Sequence, residues 1–428
     1  MKSYRDTFNE VTVQLQSLCK SITDCHHSTP TYTSEGRLVI RNFNIKDGRM
    51  LLNNISFTDD THFEQRISRE KPESGDLIIT REAPMGEVCI IPEGIECCLG
   101  QRMVLIKPDE EKVDHHFLLY SLLSEYAQIQ ISKSNGTGSI VSNLRIPLLK
   151  ELLIPKIDLC NQKNIGFVLS SIDKKIALNN KINTELEAMA KLIYDYWFVQ
   201  FDFPDANSKP YKSSGGKMVY NEALKREIPE GWEVDVIKNV IDVKDGTHDS
   251  PKPSTEGYHL ITSKNLKIEG LDFENANLIS AIDYENINKR SKVDTGDILF
   301  SMIGSIGAIY RVDEEKINFA IKNVALYKTS KNNCYKNFVY MFLKSYDMQR
   351  YMGNVISGSI QKFIGLGALR NMPILIDHTL IKNYVQTTES LFKKQTLIKR
   401  ENQQLSQLRD WLLPMLMNGQ VTVKDTAS

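Results

Sequence analysis

Apolar residues recur at every third or fourth position through residues 158–203. They are Ile165, Val168, Ile172, Ile176, Ile182, Leu186, Met189, Ile193 and Tyr196, and no Pro or Gly follows Gly166 until the stretch ends. This spacing predicts one long amphipathic helix with a single seam. Asp158, just after Pro155, is its predicted N-cap. Lys175 and Asn179 interrupt the seam, as polar residues do where a helix packs along a partner in one register. Residues 377–417 repeat the pattern. There Tyr384, Leu391, Ile398, Leu405 and Leu412 form a strict heptad, with Asn402 as the polar interruption. Asp377 falls 219 residues after Asp158, and Leu405 and Leu412 fall 219 after Leu186 and Ile193. Two matched seams in one chain predict an antiparallel two-helix coiled coil. One side carries Ile165, Val168, Ile172, Ile182, Leu186, Met189 and Ile193; the other carries Leu391, Ile398, Leu405 and Leu412.

The repeat extends beyond the helices. Glu73 to Thr80 (ESGDLIIT) matches Asp294 to Ser301 (DTGDILFS) at a step of 221. Glu35-Gly36 matches Glu256-Gly257, and Phe117 and Ser124 match Phe338 and Ser345. Gly138-Ser139-Ile140 matches Gly358-Ser359-Ile360. The chain therefore reads as two copies of one unit, each a globular domain followed by a long helix. Within each globular part, short β-branched runs bounded by Gly or Pro predict strands, at 37–40, 77–80, 86–91 and 103–106 in the first copy. One amphipathic helix is predicted at 114–131 and its counterpart at 335–352, each followed by a Gly/Ser loop. The fold class is α+β: two tandem globular domains, each followed by a long helix. Residues 201–232, rich in Pro, Gly, Ser and Lys and without periodicity, read as a linker.

Charge changes the picture little. The 53 Lys+Arg balance 53 Asp+Glu, so a uniformly basic surface is excluded and a local basic groove is not. Seven Cys without paired spacing predict reduced thiols in a cytoplasmic compartment. MKSYRDTFNE at the N-terminus has no apolar signal-peptide core. No apolar run approaches the roughly 18 residues of a membrane span.

Three stretches then carry a resemblance: YDYWFVQFDFP at 194–204, PYKSSGG at 210–216 and IPEGW at 228–232. Together they resemble the central conserved region of the specificity (S) subunit of type I restriction-modification systems. Gly246-Thr247-His248-Asp249-Ser250-Pro251 and Gly296-Asp297-Ile298-Leu299 resemble motifs of its target recognition domains, and LLPMLMNG at 412–419 resembles the end of its second conserved helix. The first copy departs from this, with Asp24-Cys25-His26-His27-Ser28-Thr29-Pro30 in place of Gly-Thr-His. The resemblance implies target recognition domains at 1–155 and 231–376, a central helix at 156–200, a linker at 201–230, a C-terminal helix at 377–417 and a tail at 418–428.

It further implies a non-catalytic subunit that binds double-stranded DNA, each domain reading one half of an asymmetric bipartite target. The paired helices would set the half-site spacing and dock two methyltransferase (M) subunits. The M subunits would bind S-adenosylmethionine and methylate adenine, so the chain would serve both methylation and restriction. Restriction (R) subunits would join through the M-bound core, with ATP and Mg on R. No cofactor is expected on this chain.

Base readout needs loop side chains that reach base edges, with other groups on phosphates. The candidates in the first copy are His27, Ser28, Thr29, Thr80, Arg81, Asn135, Thr137 and Ser139. In the second they are Thr247, His248, Ser250, Lys252, Ser301, Met302, Ser305, Ser357, Ser359, Gln361 and Lys362, with Gly304 in the same turn. Arg81, suited to guanine, and Gln361, suited to adenine, stand first. No P-loop, Gly-x-Gly-x-x-Gly or Asn-Pro-Pro-Tyr-type methyltransferase signature is present. Asp297 with Glu314-Glu315-Lys316 faintly resembles nuclease spacing, which leaves a self-contained nuclease carrying duplicated recognition domains as the alternative. Cys19, Cys25, His26 and His27 fit no standard zinc spacing, so no metal site is expected.

Overall fold

A computed structural model describes residues 12–133, 143–267, 270–358 and 362–423. The chain divides into two compact units, residues 1–179 with 401–428, and residues 180–400.

The first unit is built on a four-stranded antiparallel sheet in the order Cys19–Asp24, Met103–Pro108, Leu77–Thr80, Val88–Ile90. Alternate side chains of its strands serve two cores, as the period of two dictates. Leu77, Ile79, Val104 and Ile106 pack with Phe117, Leu118 and Leu122. Ile78, Met103 and Leu105 pack on the opposite face with Ile40, Ile45 and Cys89. A three-stranded sheet, Ser56–Thr58, Arg37–Ile40, Cys97–Leu99, lies alongside with one antiparallel and one parallel pairing.

The second unit has the same topology. Its four-stranded sheet runs Val243–Asp245, Val324–Tyr327, Ile298–Ser301, Ile309–Arg311. Its three-stranded sheet runs Asn277–Ile279, Tyr258–Ile261, Phe319–Ile321, again antiparallel and then parallel. Gly36 and Gly257 hold equivalent left-handed positions at φ 129° and 133°. A Cβ there would lie 2.5 Å from the Thr58 carbonyl oxygen and 2.1 Å from that of Ile279, so neither copy tolerates a side chain.

The Gly-Asp motif of both copies proves to be framework. Asp297 is fully buried and pairs with Lys328, itself only 3% exposed, which also reaches Asp294 at 2.7 Å. In the first unit Lys107 repeats this with Asp76 at 3.2 Å and Glu73 at 2.6 Å. The Asp76 and Asp297 side chains also accept the backbone N–H of Glu73 and Asp294, each at 2.8 Å, which fixes the turn before the strand. Burying these charges requires this pairing.

The helix predicted at 114–131 is two, His115–Leu123 and Glu125–Lys133, and its counterpart is Lys336–Leu343 and Tyr346–Val355. Ser124 and Ser345 take extended backbone angles at the break, and Ser345 caps the second helix through the Met348 N–H. A serine that satisfies a helix start locally interrupts an otherwise continuous apolar pattern. The helices Asp60–Ile67 and Ala281–Ser291 were hidden by their largely polar sequences. The stretch expected to be a linker holds a hairpin, Met218–Asn221 with Arg226–Pro229. Phe203 stacks on Tyr211 and Trp232 there.

The long helices span Leu159–Tyr194 and His378–Met417. Asp158 and Asp377 cap them, accepting the N–H of Asn161 at 3.0 Å and of Leu380 at 2.7 Å. In the first unit Arg409 meets Asp173 at 2.8 Å, and the Asn179 amide donates to Glu401 and Asn402, each at 2.8 Å. In the second unit Gln395 donates to the Asn183 carbonyl at 2.9 Å, and the Tyr384 hydroxyl to that of Ala190 at 2.9 Å. Numbers rise along one helix as they fall along the other, so the helices pair antiparallel.

The seam itself differs from the expected one. Ile165, Leu169, Ile172, Ile176 and Asn179 are buried, and further on Ala190 and Tyr194 replace Met189 and Ile193 at its centre. Met189 is 52% exposed, and Val168, Ile182, Leu186 and Ile193 are half-buried. The heptad of 3.5 residues drifts against the 3.6-residue turn, and the end of the helix turns toward the aromatic core of the second unit. Tyr194 and Phe198 pack there on Phe338 and Tyr384. In the C-terminal helix Ile398 is buried, while Leu391, Leu405 and Leu412 are half-buried.

Candidate nucleic-acid interface

In each unit three chain segments meet at one end of the four-stranded sheet. The first follows Cys19–Asp24 or Val243–Asp245, the second follows Leu77–Thr80 or Ile298–Ser301, and the third enters the central strand at Met103 or Val324. Strand ends that converge on a rigid sheet are where binding loops are held in place.

In the second unit, Asp245 ends its strand nearly buried beneath an exposed histidine. His248 places Nε2 2.8 Å from Asp245 Oδ2 and Nδ1 2.8 Å from Asn323 Oδ1. The other Asp245 oxygen holds Arg290, from the helix Ala281–Ser291. Lys322 reaches Ser250 at 2.5 Å. Gly246 is needed here, because a Cβ would lie 2.3 Å from the Ile321 carbonyl oxygen.

The first unit has the same corner in different residues. His27 Nε2 lies 3.0 Å from Asp24 Oδ2, and Gln101 donates to the His27 carbonyl. Cys25 stands where the second copy has Gly246. The first copy reaches its central strand through Gly100-Gln101-Arg102, one residue more than Lys322-Asn323, and this longer connection accommodates a side chain at 25. The departure from the Gly-Thr-His motif therefore leaves the corner intact.

Arg81 is not a free reader. Its guanidinium lies 3.0 Å from both Asp24 oxygens, donates to the Leu144 carbonyl at 3.0 Å and to Asn143 at 3.2 Å, and is 14% exposed. It is a strut between the His27 corner and the segment that follows the Gly/Ser loop. Thr80 and Ser301, in their separate units, are fully buried, donating to the Pro84 and Ile303 carbonyls, and Met302 is buried next to Ser301. These three side chains are enclosed at the strand ends of their units and are not presented at the surface. His27, Ser28, Thr29, His248, Ser250, Lys252, Ser305, Ser357 and Lys362 are exposed and Thr247 is half-buried. Ser357 bridges to Phe363, which also bridges to Ile303, so the last predicted loop meets the turn after Ser301. Asn135, Thr137, Ser139, Ser359 and Gln361 lie outside the described residues.

Several surface groups at these corners escaped the sequence reading: Arg102 and Asn323, Gln101 and Lys322, and Arg290. The signal was present in the repeat itself, since Arg102 and Asn323 are also 221 apart. Exposed aromatics flank the first corner as well. The Arg41 guanidinium sits 5.1 Å from the Tyr32 ring centre and 4.6 Å from that of Phe43.

The long helices leave a second feature. Leu178, Met189, Leu192, Leu397, Leu408 and Trp411 are all exposed. They form repeat-equivalent pairs at the helices' step of 219: Leu178 with Leu397, Met189 with Leu408, Leu192 with Trp411.

Residues 35–188 match the family model described as the type I restriction modification DNA specificity domain. The type I restriction enzyme MjaIX specificity subunit of Methanocaldococcus jannaschii is 26% identical over 359 residues, covering 82% of this chain and 78% of that one. The HindI specificity subunit of Haemophilus influenzae is 22% identical, covering 76% of this chain and 81% of that one. Over most of its length the chain is thus similar to specificity subunits of type I restriction-modification systems. The crystal structure of an S subunit from M. genitalium has the same fold, with a TM-score of 0.52 at 17% identity, covering 95% of this chain and 96% of that one.

The remaining expectations concern chemistry. Asp297 is enclosed with both oxygens engaged, by Lys328 and the Asp294 and Ser330 backbones. Glu314 is half-buried and accepts from the Tyr310 hydroxyl at 2.6 Å. Burial pushes its pKa up, against the Tyr310 hydrogen bond. Neither carboxylate lines an open cleft, and the nuclease alternative gains no support. Among the described residues, no helix is long and apolar enough to cross a membrane.

Proposed function

We propose that this chain is a non-catalytic specificity subunit of a type I restriction-modification system, which reads a bipartite asymmetric DNA target and docks two M subunits along its paired helices. The observation that carries the reading is the contrast between the copies. Buried framework repeats, as in Asp76–Lys107 and Asp297–Lys328, while exposed residues at the sheet end differ. His27 and His248 are shared, but Ser28, Thr29, Gln101 and Arg102 stand where the second copy has Asp249, Ser250, Lys322 and Asn323. Two copies of one scaffold with different surface chemistry suit two unlike half-sites. The duplicated exposed apolar residues of the helices suit two copies of one partner. On this reading S-adenosylmethionine belongs to M, ATP and Mg belong to R subunits recruited through the M-bound core, and the complex works in the cytoplasm.

The test is the methylome of cells that co-express this chain with its cognate M subunit. One bipartite adenine-methylated motif is expected, altered in one half only when residues 246–361 are exchanged for those of another specificity subunit. Absence of new methylation despite a confirmed complex would overturn the DNA-reading half of the proposal. Leu192→Asp with Trp411→Asp should abolish M binding, each alone removing about one equivalent; full M binding by the double variant would overturn the docking half.

A further inference from the structure

Arg102 and Asn323 occupy the same unusual place in the two units. Each is the last residue before the central strand, ahead of Met103 and Val324, which pair with the equivalent Thr80 and Ser301. Each has a left-handed backbone, at φ 66° and 54°. Glycine is the natural choice there, and an arginine in this region is uncommon. Asparagine adopts this conformation readily and arginine does not, and residues held in it cluster at functional sites. Neither side chain is in the core: Arg102 is 53% exposed and Asn323 is half-buried. Both stand between the two loop segments of their corner.

We infer that Arg102 and Asn323 are the equivalent base readers of the two half-sites, Arg102 for a guanine and Asn323 for an adenine; this rests on the DNA-reading function proposed above. The chemistry follows from the donor sets. Arg102 is steadied through Nε, 3.1 Å from Glu82 Oε2, and Glu82 is itself held by Asn143 at 2.7 Å. This leaves the guanidinium fork to address guanine O6 and N7 in the major groove. Asn323 is steadied through Oδ1 by His248. An amide oxygen has a second lone pair, so Oδ1 can still accept from adenine N6 while Nδ2 donates to N7. His248 is then a positioning residue. It orients the Asn323 amide and is held in turn by Asp245, which Arg290 holds from its other oxygen.

The experiment selects a randomised double-stranded DNA library on the purified complex of the full chain with its M partner, followed by sequencing of the retained duplexes. Arg102→Asn should replace a guanine preference by an adenine preference at one position of one half-site, a change of at least about tenfold. Asn323→Arg should make the reciprocal change in the other half-site. Arg102→Gly and Asn323→Gly should lose the preference at that position while melting no lower than wild type, because glycine suits the backbone. His248→Ala should weaken the adenine preference in the same half-site as Asn323→Gly, leaving the other half unchanged. If the wild type selects a bipartite motif that all these variants retain, the inference fails and the function stands. Glycine variants that unfold or alter both halves would assign the residues a structural role and overturn it. If the wild type selects no motif, function and inference fall together.

Discussion

Replacing Arg311 by alanine should destabilise the second unit by about 3 kcal/mol, the low end of the cost of breaking a buried ion pair. Arg311 is 7% exposed and pairs with Asp313 through two bonds of 3.0 Å. The same guanidinium donates to Thr396 at 3.0 Å and to the Phe392 carbonyl at 3.3 Å, and lies 4.6 Å from the Phe392 ring centre. It therefore ties the strand Ile309–Arg311 to the C-terminal helix. Without it, Asp313 keeps only Lys399 at 3.3 Å, which is why the estimate sits at the low end. For a unit of this size, about 3 kcal/mol corresponds to a fall in Tm of roughly 6–12 °C. Tryptophan fluorescence follows this unit well, because Trp197 and Trp232 pack in its core and Trp411 alone lies elsewhere. A midpoint within about 1 °C of wild type would refute the reasoning. The double variant Arg311→Met, Asp313→Leu removes both charges and should melt near wild type; if it melts as low as Arg311→Ala, packing holds the strand and the charges do not. Acid provides a second readout. Burial opposes the charged Asp313, but Arg311 and Lys399 outweigh it and hold its pKa below the usual carboxylate range. A depressed carboxylate contributes stability above the unfolded value near pH 4 and loses it as pH falls through the folded value. Arg311→Ala should therefore flatten the acid limb of the stability profile.

Three further outcomes are expected. Lys328→Met, which strands the fully buried Asp297, should cost about 3–5 kcal/mol and exceed Lys107→Met, because Lys107 is 15% exposed and its buried partner Asp76 lies 3.2 Å away; urea unfolding of the two variants checks the order. Leu169→Ala should cost about 2–5 kcal/mol, and Met189→Ala, at an exposed position, within about 0.5 kcal/mol, by the same assay. Native thiol titration at pH 8 should find Cys160 and Cys334 fast and Cys25, Cys89, Cys97 and Cys98 slow. Burial pushes Cys97 up to about 12 and Cys98 up to about 11, so both stay protonated at that pH, and rapid labelling of either would contradict their placement.

What the sequence made legible was whatever repeats with a period. The 219-residue step between the helices and the 221-residue step between the domains delivered the duplicated topology, the Asp158 and Asp377 caps and the antiparallel pairing. The seam was read less well, because a list of apolar residues does not say which face a neighbouring domain covers. Ala190 and Tyr194 take the central places near the second unit, and Met189 is turned outward. The site was only half legible, for a related reason. Polar loop residues look alike in sequence whether they face solvent or satisfy a strand end. Arg81 has the composition of a base reader and the hydrogen bonds of a strut. Arg102, twenty-one residues further on, has the exposure that Arg81 lacks. The 221-residue step pairs it with Asn323, and the positive φ the two share separates it from an ordinary surface arginine.

That separation of strut from reader bears on how one scaffold can serve two targets. At a buried position a change of residue leaves a partner unsatisfied, as Lys328 shows for Asp297, so the framework must change in concert or not at all. At 102 and 323 the backbone is fixed from behind by the paired residues Met103 and Val324, and the side chain leaves the core at once. Arginine and asparagine there differ in what they offer a base edge and hardly at all in what they ask of the fold. The steadying groups are local and different in each copy: Glu82 and Asn143 in one, His248 and Asp245 in the other. A new reader at this position therefore needs a new neighbour or two on the same surface and no repacking beneath it. By this argument, substitutions that change the target without lowering stability should concentrate at 102, 323 and their immediate partners, and those at 81 should lower stability first.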